Sequence, residues 1–428
     1  VIGDDRSSQA QQHLIKRGLL RALALLCCLV ASAALAQEQT SVSGLLRMDY
    51  MSSSRDLDDR VGNAGATAQI KAKHAADNGL RVEFETRVTQ SNLLHHRDEI
   101  WRLLSGFAEI ERDDVSLRIG QQRVRWGKAD VINPTDFFTP IDFRVPLPLE
   151  EDRYLSIPAL RTDWRFDDTQ NLSLVIEPAW VRSELPSPPA ATAFDVNDKR
   201  PSAQRRPQIG LRFSQSGSEL DWSLSGFSGY SNLPVSTATG TSATGRPQFL
   251  NRYPRLNGLG ADLARNFGPW SFRLEAAAAA YQADDGNPSP RPFFTAVAGV
   301  DRTLNDININ VQILYRRLSG FVPSQSSSPL NQLALDQNAA LFNEFNRQTW
   351  GMTARIAKQW LNQTLQTEFL YVGYFEPNSG LLRPALTYAL SDSQKIIFGA
   401  EYYFGPDKSF FGPFKANTTI FAELQKYL

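Results

Sequence analysis

The sequence predicts an all-β chain, a closed antiparallel transmembrane β-barrel of about eighteen strands, with sixteen also compatible. Three observations carry this expectation. Apolar and polar residues alternate with period two, segment after segment. Tight turns and longer loops alternate between those segments. Beyond the first segment, no run of roughly 18 apolar residues could form a spanning helix.

The alternation is read directly from the residues. Leu80, Val82, Phe84, Thr86 and Val88 share one parity, and Arg81, Glu83, Glu85 and Arg87 the other. Leu160, Thr162, Trp164 and Phe166 alternate with Arg161, Asp163 and Arg165, and Trp270, Phe272, Leu274 and Ala276 with Ser271, Arg273 and Glu275. Ile307, Ile309, Val311, Ile313 and Tyr315 alternate with Asn308, Asn310, Gln312 and Arg316. In a strand the two parities face opposite sides of the sheet. Such segments begin near Val42, Ala68, Leu80, Leu103, Val115, Leu160, Leu172, Gln208, Leu220, Leu256, Trp270, Phe293, Ile307, Trp350, Thr364, Leu382, Lys395 and Lys415. Pro178 and Pro384 fall within two of them and predict bulges or strand ends, because proline offers no ladder donor.

Tight turns are expected at residues 77–79, 112–114, 167–170, 215–219, 267–269, 304–306, 361–363 and 391–394. Longer loops are expected at 128–158, 183–205, 232–252 and 320–347. Short turns on one side and long loops on the other are the rhythm of outer-membrane barrels, with both termini on the periplasmic side. The last segment alternates Thr418, Ile420, Ala422 and Leu424 with Thr419, Phe421, Glu423 and Gln425, and ends in Tyr427 and Leu428.

A closed barrel also answers the chemistry. In lipid no water satisfies exposed backbone groups, so only helices or closed sheets cross. One parity is apolar enough for lipid, and the other is too charged for a dry core. Arg81, Glu83, Glu85, Arg87, Arg161, Asp163, Arg165, Arg273, Glu275, Arg316 and Arg355 are expected to line a pore. Burying so many charges would cost several kcal/mol apiece, on the order of magnitude measured for desolvated ions, unless each were paired. The chain holds 25 Phe, 12 Tyr and 8 Trp, and Tyr50, Trp101, Trp126, Trp180, Trp270, Trp350, Trp360, Tyr402 and Tyr427 fall near strand ends, where girdles form.

Residues 1–36 have the pattern of an export signal, leaving 37–428 as the barrel. Lys16, Arg17 and Arg21 precede an apolar stretch from Ala22 to Ala33, and Ala34-Leu35-Ala36 is a small-x-small cleavage site. Cys27 and Cys28, both in that segment, are the only cysteines, so disulfides do not hold the barrel. The expected place is the outer membrane of a Gram-negative bacterium, with outer-membrane lipid and the barrel-insertion machinery as partners. The formal net charge of zero gives no reason to expect nucleic acid.

The most informative stretch runs from Val115 to Arg144 and contains Gly120-Gln121-Gln122, Trp126-Gly127 and Asn133-Pro134-Thr135-Asp136. Val115, Leu117 and Ile119 share a parity on which Arg123 and Arg125 would also fall, unlike Arg118. A bulge near Gln121-Gln122 would return both arginines to the lumen. The loop that follows is too long and apolar for an inert connector, with Phe137, Phe138, Ile141, Phe143, Val145 and Leu147. It either folds inward as a constriction carrying Asp130, Asn133, Pro134, Asp136 and Asp142, or caps the barrel outside. Arg118, Arg123 and Arg125 lead into it, so an arginine-rich constriction favouring anions is expected.

The Trp-Gly and Asn-Pro-x-Asp run resembles that of an uncharacterised outer-membrane β-barrel, porin-like family often encoded beside large membrane exporters. It is also broadly similar to alginate-export-type barrels. The resemblance implies a conduit that passes or exports a polar solute, lipid or polymer, with an inner-membrane exporter as a partner. A plugged or structural barrel, or a lipid-acting enzyme, is the alternative.

Other chemistries have weaker support. Asp130, Asp136 and Asp142 recur every six residues, but carboxylates on turn-rich loops more often cap turns than hold a cation. His74 falls on the outward parity near a tight turn. His95 with Asp98 could supply a base, yet no nucleophile accompanies them. No catalytic residue, cofactor or metal is expected, and the chain does not read as an enzyme.

Overall fold

Period-two patterning makes strands, and tight turns set neighbouring strands antiparallel. A computed structural model of the chain describes residues 39–53, 62–91, 93, 98–144, 150–185, 194–199, 207–217, 219–282 and 288–428. The export-signal segment, Cys27, Cys28, His95, His96, Val145 and Leu147 lie outside the described residues.

The first strands are β1 (Gln39–Ser53), β2 (Gly62–Ala75), β3 (Leu80–Ser91), β4 (Asp98–Arg112), β5 (Val115–Gln122), β6 (Ile157–Arg165) and β7 (Gln170–Glu177). Then come β8 (Asp195–Lys199), β9 (Gln208–Gln215), β10 (Leu220–Tyr230), β11 (Val235–Thr241), β12 (Pro247–Arg252), β13 (Arg255–Phe267) and β14 (Trp270–Tyr281). The chain continues through β15 (Phe293–Leu304), β16 (Ile307–Leu318), helix α1 (Pro329–Phe342), β17 (Gln348–Trp360) and β18 (Leu365–Phe375). It ends with β19 (Asn378–Ser391), β20 (Gln394–Phe404) and β21 (Thr419–Tyr427).

Eighteen of these strands form one closed antiparallel sheet. Each pairs with the next in chain order once β8, β11 and β12 are set aside, and β21 pairs back onto β1. The seam is continuous from Leu45 opposite Tyr427 to Ser53 opposite Thr419. Gly44 and Leu428 exchange backbone hydrogen bonds of 3.1 and 2.9 Å beyond it. Closure leaves no unpaired edge, which is what a sheet in lipid requires. No described helix is long and apolar enough to cross a membrane.

All eighteen expected segments correspond to barrel strands, and the parity reading carries over to burial. Val82, Phe272, Leu274, Ile313 and Ile420 are exposed on the outer face, whereas Phe421, Glu423 and Gln425 are buried. Strand ends needed correction. β2 begins at Gly62 rather than near Ala68, β4 at Asp98 rather than near Leu103, and β19 at Asn378 rather than near Leu382. Lys415 lies in a 3-10 helix (Gly412–Asn417), and the last strand starts after it. Glu177 ends β7 just before Pro178, and β19 skips its pairing with β20 at Arg383 and Pro384.

Three further expectations change. The alternation of short and long connections is not strict, because Glu376 and Pro377 alone join β18 to β19 on the long-loop side. The 183–205 and 232–252 loops contribute β8, β11 and β12 to a small separate sheet, and the 320–347 loop holds α1. β5 shows no bulge at Gln121-Gln122, since its register with β6 is continuous to Gln122 opposite Ile157. The bulge sits in β4, where Glu85 faces Ser105 and Thr86 faces Leu103, leaving Leu104 between rungs. Of the expected girdle, Tyr50, Trp101, Trp270, Trp350, Trp360, Tyr402 and Tyr427 are exposed. Trp126 is instead buried in a loop, and Trp180 packs against the Tyr253 ring, tilted, at 4.5 Å between centroids.

Candidate functional site: the inner loop and its wall

After Gln122 the chain leaves the wall and does not rejoin it until Ile157. This departure, not a bulge, carries Arg123 and Arg125 inside. Its aromatic residues pack against the inward face of β9, β10, β13 and β14. Phe137 stacks on Phe227 at 5.5 Å between ring centroids, and Phe138 meets Phe227 and Trp126 edge-on at 4.9 and 5.2 Å. The wall makes room with glycine. A Cβ on Gly210 would lie 2.4 Å from Phe138 and 2.5 Å from Trp126, and one on Gly258 would lie 2.5 Å from Phe137. Val124, Ile157, Ala159, Val175, Leu256, Ala277 and Ala279 complete this cluster. On this side the barrel interior is a dry core, contrary to the expectation of a charged, watery wall throughout.

Glu275 of β14 anchors the loop. Its Oε2 accepts the backbone N–H groups of Lys128 and Ala129, both at 2.9 Å. Its Oε1 accepts the backbone N–H of Thr135 at 2.8 Å and the Thr135 hydroxyl at 2.9 Å. Only 1% of Glu275 is exposed, so these four donors replace the water that a carboxylate needs. Gly127 is required here. Its φ is +98°, and a Cβ would lie 2.6 Å from the Glu275 carboxylate and 2.1 Å from Asn133 Oδ1. The Trp-Gly and Asn-Pro-x-Asp run therefore wraps one buried wall carboxylate.

Ion pairs tie the loop to the rest of the circumference. Arg355 of β17 donates to Asp130 at 2.9 Å and to Glu368 of β18 at 3.1 Å. Lys128 Nζ lies 3.3 Å from Asp221 of β10, and Arg273 donates to the Lys128 carbonyl at 3.1 Å while pairing with Asp301 at 3.1 Å. Asp152 pairs with both Arg47 of β1 and Arg87 of β3, and Arg153 lies 3.6 Å from Glu401 of β20. The loop thus spans the barrel, and of its two possible positions it takes the inward one.

The expected wall residues are mostly paired. Arg81 and Arg165 share Glu111 at 3.3 and 2.7 Å. Glu83 and Glu85 share Lys71 at 3.1 and 3.0 Å. Arg118 grips both oxygens of Glu109 at 3.0 Å, and Arg161 meets Asp163 at 2.8 Å. Arg123 comes within 3.8 Å of Glu85, and Arg125 within 3.5 Å of Asp136 while lying over the Tyr154 ring.

The three loop aspartates go to separate partners rather than converging. Asp130 takes Arg355, Asp136 takes Arg125 and Thr139, and Asp142 takes Arg102 and Arg144. Asn133 accepts from Asp136 N–H through its carbonyl at 3.3 Å, and its Oδ1 lies 3.4 Å from the Thr135 hydroxyl oxygen. Burial pushes the Asp136 carboxyl up to about 6, against the Thr139 hydroxyl and Arg125, which lower it.

Arg316 of β16 differs from the other wall arginines. It donates to Thr295 Oγ1 and to the Phe342 carbonyl, both at 3.2 Å, and lies over the Phe293 ring at 4.1 Å. Among the described residues no carboxylate lies within 4.0 Å of it. It borders a cavity of about 330 Å³ on the loop side of the barrel, with Pro134, Phe137, Tyr281, Leu314 and Tyr374.

A family model described as a protein of unknown function (DUF1302) matches residues 103–372, more than half the chain. The chain belongs to that family. The match contains the Trp126-to-Asp136 run together with its anchor, Glu275. No curated protein matches the sequence. Solved structures similar to this DUF1302 chain include outer-membrane proteins at low identity. Pseudomonas aeruginosa OccK1 (OpdK) is 10% identical with a TM-score of 0.56, over 91% of this chain and 98% of its own. Pseudomonas aeruginosa OccD3 (OpdP) is 10% identical with a TM-score of 0.55, over 91% of each chain. Acinetobacter baumannii OccAB3 is 10% identical with a TM-score of 0.54, over 91% and 99%. These likenesses establish the porin-type barrel fold of this DUF1302 chain.

Sequence reasoning missed Arg47, Asp152, Glu401, Gly210 and Gly258. Arg47 alternates with Leu46 and Met48, and Gly210 with Ile209 and Leu211, so inward parity could have flagged them. Asp152 lies in the loop, where no periodicity marks it.

Proposed function

We propose that this barrel is an outer-membrane conduit for a small solute with an anionic group and an apolar body. The observation that carries this reading is Arg316, which among the described residues has no carboxylate within 4.0 Å, at a cavity beside the inner loop bordered by aromatic rings and by Asp136. Arg118, Arg123 and Arg125 each face a carboxylate, so their fields largely cancel and selectivity concentrates at Arg316. The packed loop favours a small solute over a polymer. Support of the same kind comes from the OpdK structure solved with vanillate, itself an aromatic carboxylate.

The test uses the barrel in proteoliposomes, with benzoate and benzyl alcohol as probes. Reversal potentials are expected to show anion preference. Arg316→Gln lowers benzoate entry several-fold and leaves benzyl alcohol unchanged. Cation preference, or equal loss of both probes, would overturn the reading. Absence of any conductance would mark a plugged barrel.

A further inference from the structure

Most of the outer wall is built from large apolar side chains, but one sector is hollow. Across β10 and β14 the outward positions are Gly226, Ser228, Ala278 and Ala280, and the resulting groove of about 930 Å³ is flanked by Leu259 and Phe294. Leu259 is 69% exposed, so the groove opens outward and not into the barrel.

At the loop end the groove is bordered by Arg317 and Arg347, and among the described residues no acidic one lines it. Arg317 pairs across the sheet with Phe294, so both project from the outer face. It is also one outward position beyond Tyr315, whose ring meets Trp350 at 4.6 Å. Such aromatic pairs mark the membrane interface, which places Arg317 at headgroup depth. Among the described residues neither arginine has a carboxylate within 4.0 Å.

We infer that this groove binds a phosphorylated acyl lipid of the outer leaflet, its chains against the small residues and its phosphate on Arg317 and Arg347. Guanidinium groups pair with phosphate oxygens through two parallel hydrogen bonds, and a groove without carboxylates offers nothing to repel them. A second copy docked by the same face across a two-fold axis would bring arginine against arginine, which argues for lipid as the occupant.

The test titrates the full refolded barrel in neutral detergent with diphosphoryl lipid A and with its phosphate-free form, read by native mass spectrometry. Retention of the diphosphoryl form is expected to exceed the other by about tenfold, the scale of one lost charge-assisted contact. Arg317→Gln combined with Arg347→Gln removes that preference. Ala278→Leu, which fills the groove, weakens both forms. The two variants act independently, so heat-modifiable mobility needs to confirm folding of only one. Equal retention of the two lipids, undiminished preference in the arginine variant, or a cyclic oligomer that Ala278→Leu dissociates would overturn the inference.

Discussion

Thr135 gives both of its donors, the backbone N–H and the hydroxyl, to a single oxygen of Glu275 on the far wall. One carboxylate therefore pins the Lys128-to-Thr135 part of the inner loop to the wall. Glu275→Gln turns one of its acceptors into a donor facing N–H groups. The expected cost is about 3 kcal/mol, the order found when a buried charged network loses a partner. The loop should then open to trypsin at Lys128 in the folded barrel. Unchanged digestion of folded Glu275→Gln protein would show that the loop is held elsewhere.

The glycines of the inner wall make a second prediction. Gly210→Ala pushes a methyl group into Phe138 and Trp126 and should destabilise by about 1–3 kcal/mol, the range for overpacked cores. On the outer face, Gly226→Ala meets only Leu259 Cδ2 at 3.8 Å and should be near neutral. Heat-modifiable gel mobility across a temperature series compares the two.

The outer face makes a third. Leu274→Arg and Ile313→Arg place arginine against lipid, at about 2–4 kcal/mol at the bilayer midplane. Both should assemble poorly, whereas the inward changes Glu83→Gln and Arg273→Gln assemble. Equal assembly of the two sets would mean that the faces are reversed.

The fourth concerns pH. Burial raises the folded value of Asp136 to about 6, above the ordinary carboxylate value of the unfolded chain. Between roughly pH 4 and 6 the folded protein holds a proton that the unfolded chain has released. This contribution is therefore full below about pH 4 and lost as pH rises through about 6. Measured against Asp136→Asn, wild-type stability should fall by up to about 3 kcal/mol across that window. Wild-type stability that rises with pH relative to Asp136→Asn would reverse the assignment.

The barrel was legible because alternation and turn chemistry are local, as Leu80 to Val88 and the turn at residues 77–79 illustrate. The inward arginines were legible for the same reason, but their partners were not. Arg87 meets Asp152, and Arg355 meets Asp130, across distances along the chain that no pattern encodes. The Trp-Gly and Asn-Pro run stood out as a motif, yet its purpose depends on Glu275, some 140 residues later. β8, β11 and β12 were read as loop because short strands away from the wall need no sustained alternation.

The β1–β21 seam carries a consequence for biogenesis. β1 and β21 are each other's neighbours, so the sheet has two raw edges until β21 arrives. The barrel cannot close until β21 has been made, and the earlier strands must wait with their outer edges unpaired. A nascent chain stopped before Thr419 would offer those edges to other chains and aggregate.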